Sequence, residues 1–117
     1  MTYLRDLDMS GNSFNSTIPN SWLSSLSCLE NLNLGYNNLE GAIPTAIGNL
    51  TSLTRLDLSS NQLKGRIPSS LGNLCNLREI DLLGNSFAID VSDVLESFSG
   101  CVLNGLESLQ FGSSQHG

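Results

Sequence analysis

Apolar and polar positions alternate along this chain in short bursts, and the bursts recur at a nearly constant step. Leu56 and Leu58 fall on one side of an extended backbone and Arg55, Asp57 and Ser59 on the other, the period of a half-buried strand. The same pattern, LxxLxLxxN, opens at Leu4, Leu29, Leu53, Leu77 and Leu106, in steps of 25, 24, 24 and 29 residues. A fixed period means stacked units. One 24-residue copy cannot bury its own leucines, so successive copies must stack with strands about 4.8 Å apart and their leucines in one shared column.

The polar positions fixed within the period say how each turn of the stack closes. Asn12, Asn37, Asn61 and Asn85 recur just after the strands. A buried asparagine donates twice and accepts twice, so a ladder of them can satisfy turn backbone from one coil to the next. The second half of a copy, such as Leu63-Lys-Gly65-Arg-Ile67-Pro68, alternates again and stops at a residue without an N–H, which predicts a second short strand. Gly41 and Gly65 are expected where neighbouring backbones come close. Pro19, Pro44 and Pro68 close that strand and open a tight turn on the convex side, with Trp22 at the position of Ile47 and Leu71.

Copy four departs from the rule. After Asn85-Ser-Phe87 there is no Gly-x-Ile-Pro, and five extra residues appear. Asp90 is placed to cap a helix with Val91, Val94, Leu95 and Phe98 on one face, Ile89 and Val94 as a staple and Gly100 near the stop. The pattern predicts a two-turn helix in place of the second strand.

Composition narrows the function classes. Charged residues are only 14% of the 117, so Ser, Asn and Gly must supply the polar surface. A net charge of -6 opposes a nucleic-acid partner, which needs a basic stripe. No apolar run of about 18 residues is present, which predicts no membrane span and no direct membrane contact, and the first ten residues have neither a basic start nor an apolar signal core. Cys28, Cys75 and Cys101 fit neither a disulfide framework nor a CxxC metal clip. They read as small buried apolar residues, with a disulfide between two of them left open for an oxidising compartment.

The run GxIPxxLGNLxxL after LxxLxLxxNxL, matched at every framework position in copies two and three with Ile47 for the first leucine of GxIPxxLGNLxxL in copy two, resembles plant extracellular leucine-rich repeats. The likeness covers essentially the whole chain. It implies an α/β solenoid: a right-handed coil with a parallel sheet on the concave face, short second strands, and 3-10 or short helical turns on the convex side. The longer copy ending in LESFSGCVLNGLESLQF is similar to receptor-like protein ectodomains, the class of Cf-type disease-resistance and elicitor receptors. Such a resemblance implies a non-catalytic segment at the extracellular face of the plasma membrane. Its partner would be a protein, peptide or glycan ligand, with a co-receptor kinase alongside. Copy five, with Ser114 in the asparagine position, predicts that residues 1–117 form a single incomplete array without caps.

Candidate binding residues lie in columns across the strands. Arg5, Glu30, Thr54, Arg78 and Glu107 form the first, and Asp6, Asn31, Arg55, Glu79 and Ser108 the second. The third, Asp8, Asn33, Asp57, Asp81 and Gln110, barely varies and reads as architectural. Asp57 and Asp81, one coil apart, invite a Ca²⁺ or paired-acid reading, but with no His or Cys companion in the neighbouring columns the plainer solvated role is preferred; no metal, cofactor or catalytic group is assigned. Arg55 beside Glu79 predicts an exposed ion pair worth at most about 1 kcal/mol. Tyr36 and Leu83 are the large apolar side chains of this face, and tyrosine is enriched at binding hot spots, although a single exposed apolar residue is ordinary. Asn15-Ser-Thr17 and Asn49-Leu-Thr51 are glycosylation acceptors on turns if the chain is exported; Asn73-Leu-Cys75 is a poorer one.

Three functions compete. The first is a ligand-recognition segment of a receptor-like ectodomain. The second is a secreted inhibitor similar to those that block fungal polygalacturonases, disfavoured by the 29-residue copy. The third is a fragment without independent function, whose terminal strands, from Tyr3 and to Phe111, would leave apolar edges open.

Overall fold

The computed structural model describes residues 3–88, 98 and 100–110. Five three-residue strands, β1 (Asp6–Asp8), β2 (Asn31–Asn33), β4 (Arg55–Asp57), β6 (Glu79–Asp81) and β8 (Ser108–Gln110), form one sheet in that order. Every pairing is parallel and in step with the repeat, so Leu7, Leu32, Leu56, Ile80 and Leu109 occupy one row. The row faces inward. Leu32, Leu34, Leu56 and Leu58 are each no more than 2% exposed, and burying a leucine of this kind contributes about 1.5–3 kcal/mol.

The second strands, β3 (Glu40–Gly41), β5 (Gln62–Gly65) and β7 (Ser86–Phe87), form a smaller parallel sheet. Copy four therefore keeps its second strand, against the expected replacement by a helix. Phe87, 3% exposed, anchors it in the core without help from the missing Gly-x-Ile-Pro. The expected helix falls at 89–97, outside the described residues. Phe98 is buried, and Val102–Gly105 forms the short helix α2 leading into β8.

Gly41 and Gly65 hold φ +79° and +81°, in the left-handed region that glycine adopts at no steric cost. Close backbone approach, the expected reason, is not the cause: a Cβ at Gly65 would meet only the Ala42 Cβ at 3.6 Å. The tight approach is on the convex side. A Cβ on Gly48 would stand 2.9 Å from the Ser70 carbonyl oxygen, and one on Gly100 would strike the carbonyl of Gly72.

The prolines open turns in which every third residue is tied. Ile47 N–H donates to Pro44 O, Leu50 to Ile47 and Leu53 to Leu50, each at 3.1 Å. In a 3-10 turn, side chains three apart eclipse, so Ile47, Leu50 and Leu53 all point into the core. Copy one carries one more residue and spends it on an α-helical turn, α1 (Asn20–Ser25), where Leu26 N–H reaches back four residues to Trp22 O. That shift hands the core position to Leu23, 1% exposed. Trp22, expected to match Ile47 and Leu71, is only half-buried and packs edge-on against Phe14, ring centroids 6.3 Å apart.

Cys75 and Cys101 are bonded to each other, 26 residues apart, and Cys28 is free and half-buried. Reading all three as buried apolar residues is thus corrected: Cys75 is exposed, and it ties the convex turn of copy three to the segment before α2.

Candidate functional site

The concave face is built by residues that alternate with the buried row. Register places Asp6, Asn31, Arg55, Glu79 and Ser108 in one column and Asp8, Asn33, Asp57, Asp81 and Gln110 in another. Their side chains are held in two ways.

In the second of these columns the side chains fold back on their own strands. Asp8 Oδ1 accepts from Ser10 N–H and hydroxyl, and Asp57 Oδ1 accepts likewise from Ser59 at 2.9 and 2.6 Å. Asn33 accepts from Gly35 N–H at 3.0 Å and Asp81 from Leu83 N–H at 3.1 Å. These bonds brace the residue two places on while the parallel ladder runs past the strands, as where Leu58 N–H donates to Asp81 O and Ser60 N–H to Leu83 O. The Ser10 hydroxyl, then its N–H, hold the Asp8 carboxyl below the ordinary aspartate range.

The other residues pair across coils. Arg5 lies 3.8 Å from Glu30, Arg55 Nε 3.1 Å from Glu79, and Arg78 3.1 Å from Glu107. Arg55 also stands 3.8 Å from Asp57. All three guanidiniums are thereby engaged, while Asp6 and Asp81 pair with no basic group among the described residues. The Arg5–Glu30 and Arg78–Glu107 pairs escaped the sequence reading, though opposite charges one period apart in a column were their signal. Asn31 Oδ1 is buried and accepts no hydrogen bond among the described residues.

Tyr36 and Leu83 are 67% and 39% exposed at the end of the strands. Tyr36 has φ +59°, in a column with Gly11, Ser60 and Gly84, all at positive φ. Beneath this rim runs the asparagine ladder. Asn61 Oδ1 accepts from Asn37 N–H and Leu39 N–H, and its Nδ2 donates to the carbonyls of Leu34 and Leu58. Asn37, Asn61 and Asn85 are buried, whereas Asn12 in the first coil is exposed.

Asn15 and Asn49 are exposed, and neither lies on a concave strand. Among the described residues, no three His, Cys, Asp or Glu gather to hold a metal ion, and no helix is long and apolar enough to cross a membrane.

The model of the leucine-rich repeat family matches residues 2–63 and 29–87. No curated protein sequence matches the chain. Among solved structures it is similar to the plant peptide hormone receptor RGFR1 in complex with RGF2, with 39% identity, TM-score 0.81, and 95% of this chain and 17% of that chain covered. It is also similar to the Arabidopsis receptor kinase HAESA in complex with the peptide hormone IDA and the co-receptor SERK1, with 34% identity, TM-score 0.79, and coverage of 92% and 17%. A third likeness is to the BIR3–SERK2 complex from Arabidopsis thaliana, with 37% identity, TM-score 0.73, and coverage of 95% and 58%. The chain thus spans from about a sixth to just over half of these ectodomains. Five coils in register, their leucine row and the asparagine ladder beneath it, together with these matches, show that the chain belongs to the leucine-rich repeat family.

Proposed function

We propose that this chain is a non-catalytic recognition segment of a plant receptor-like ectodomain, exposed at the outer face of the plasma membrane, binding a peptide or protein elicitor through its concave sheet. The observation that carries the reading is the column of Asp6, Asn31, Arg55, Glu79 and Ser108, held in register on a rigid sheet yet different in every coil. A surface whose framework repeats and whose outward residues do not can encode a partner. Similarity to ectodomains solved with peptide hormones and with SERK co-receptors supports a peptide ligand and a co-receptor kinase as partners. Arg5, Glu30, Tyr36, Arg78 and Leu83 complete the proposed surface.

Asn15 and Asn49 are proposed to carry glycans, leaving the concave face clear. Asn73-Leu-Cys75 is not, because the Cys75 sulfur is committed to Cys101. Secretion from plant cells, followed by glycosidase treatment, should give two mass steps, one lost in Asn15→Gln and one in Asn49→Gln.

The recognition reading is tested by selecting peptides on the full chain from a random-peptide display library. Selected peptides should lose binding to a Tyr36→Ala/Arg78→Glu variant and keep it for Ser69→Arg on the convex turn. Selected peptides indifferent to the concave pair, or an empty selection, would remove the recognition reading.

A further inference from the structure

A cavity of about 140 Å³ opens on the concave face between β4, β6 and β8, lined by Arg55, Glu79, Asp81, Ser108 and Gln110 over Leu56 and Ile80. We propose that this hollow takes the cationic side chain of an extended peptide, a lysine or arginine, while the apolar side chain two residues along the peptide rests on Leu83. The proposal deepens the recognition reading and rests on it.

Coil four departs from coils one and three at the residue two places after the aspartate. In coils one and three a serine hydroxyl closes onto the aspartate, Ser10 on Asp8 at 2.7 Å and Ser59 on Asp57 at 2.6 Å. Coil four has Leu83 in the place of that serine, so among the described residues Asp81 accepts the Leu83 N–H alone. The exchange removes an internal donor from the carboxylate and sets an apolar side chain, 39% exposed, beside it. Asp81 is left to find its second donor in a ligand.

The charge around the hollow fixes the sign of that ligand. Its lining holds one guanidinium and two carboxylates, and the guanidinium of Arg55 is already engaged by Glu79 and Asp57. Among the described residues, an anionic group would meet Asp81, which no basic group pairs, and no free arginine in the lining. A cation donates a charge-assisted hydrogen bond to Asp81 and finds neutral acceptors in Ser108 and Gln110.

Geometry fixes the spacing. Asp81 and Leu83 are two residues apart along one coil, about 6.8 Å, which is also the step between same-face side chains of an extended peptide. The recognised feature is a basic residue, any residue, then an apolar one.

Two substitutions copy chemistry that neighbouring coils already use. Asp81→Asn keeps the turn, as Asn33 does by accepting from Gly35 N–H, but carries no charge. Leu83→Ser restores the hydroxyl that Asp81 lacks. Both should fold with an unchanged melting temperature. Peptides selected on the full chain should share the basic-x-apolar feature, bind more weakly as salt rises, and lose about ten-fold in affinity to each variant. Selected peptides that bind the concave face but are acidic, or are indifferent to both variants, would overturn this inference and leave the recognition reading standing. An empty selection, or one that misses the concave face, would sink both.

Discussion

The Oδ1 of Asn61 accepts the backbone N–H of Asn37, one coil earlier, at 2.8 Å. The same side chain ties Leu39 N–H and the carbonyls of Leu34 and Leu58. Removing it by Asn61→Leu leaves the buried N–H groups of Asn37 and Leu39 with no partner, each costing about 1–3 kcal/mol, while the Leu34 and Leu58 carbonyls keep the bonds that Asn37 and Asn85 Nδ2 donate to them. The variant should lose at least about 2 kcal/mol in urea unfolding. Asn12→Leu, at an exposed site, should cost under about 1 kcal/mol. Equal losses would mean that the ladder is not what holds the coils.

Cys75–Cys101 closes a loop across 26 residues. By loop-closure entropy a bridge of that span contributes about 3.5 kcal/mol. Cys75→Ser/Cys101→Ser should therefore melt well below the parent, and the parent should fall to the same value under reductant. In unfolded but unreduced protein, a thiol reagent should label one cysteine per chain, Cys28. Labelling of all three would refute the pairing.

Much of this fold was legible because leucine spacing reports burial directly: a residue repeated on the strand period can only be facing the stack. Column membership on the concave face followed from the same count. What escaped depends on contacts that the count does not contain. Trp22 and Leu23 exchange roles because one added residue turns a 3-10 turn into an α-helical one, a choice settled by which side chain reaches the core. Pairing of Cys75 with Cys101 depends on how the long fourth copy folds back over the turn of the third. Arg55–Glu79 was read from its column, whereas Arg5–Glu30, Arg78–Glu107 and the hollow at Asp81 arise between coils, which a single strand's pattern does not describe.

Asp8 is the clearest case of a titration set by local geometry. Its folded-state pKa is depressed by the Ser10 hydroxyl and N–H. A depressed carboxyl favours the fold above the unfolded-state pKa and loses that contribution as pH falls through the folded one. An NMR titration should place the Asp8 midpoint below that of an ordinary aspartate, and Ser10→Ala should raise it. A midpoint unmoved by Ser10→Ala would show that the hydrogen bonds do not set it.

Tyr36 combines exposure with strain. Its φ of +59° is one that a side chain with a Cβ adopts at a cost of about 1 kcal/mol. Gly11 and Gly84 hold the same place in their coils without that cost. Nothing in the packing repays the tyrosine, whose ring is largely in solvent. Tyr36→Gly should then raise stability by up to about 1 kcal/mol, read as a higher urea midpoint at unchanged slope. Under the proposed function the same variant should bind selected peptides more weakly, because the aromatic anchor is gone. Gly84→Ala gives the opposite control: it keeps the positive φ, and its Cβ would meet Ser60 Cα at 3.2 Å, so it should destabilise. A Tyr36→Gly variant that loses stability and keeps its peptides would reverse the assignment, making Tyr36 part of the framework instead of the surface it presents.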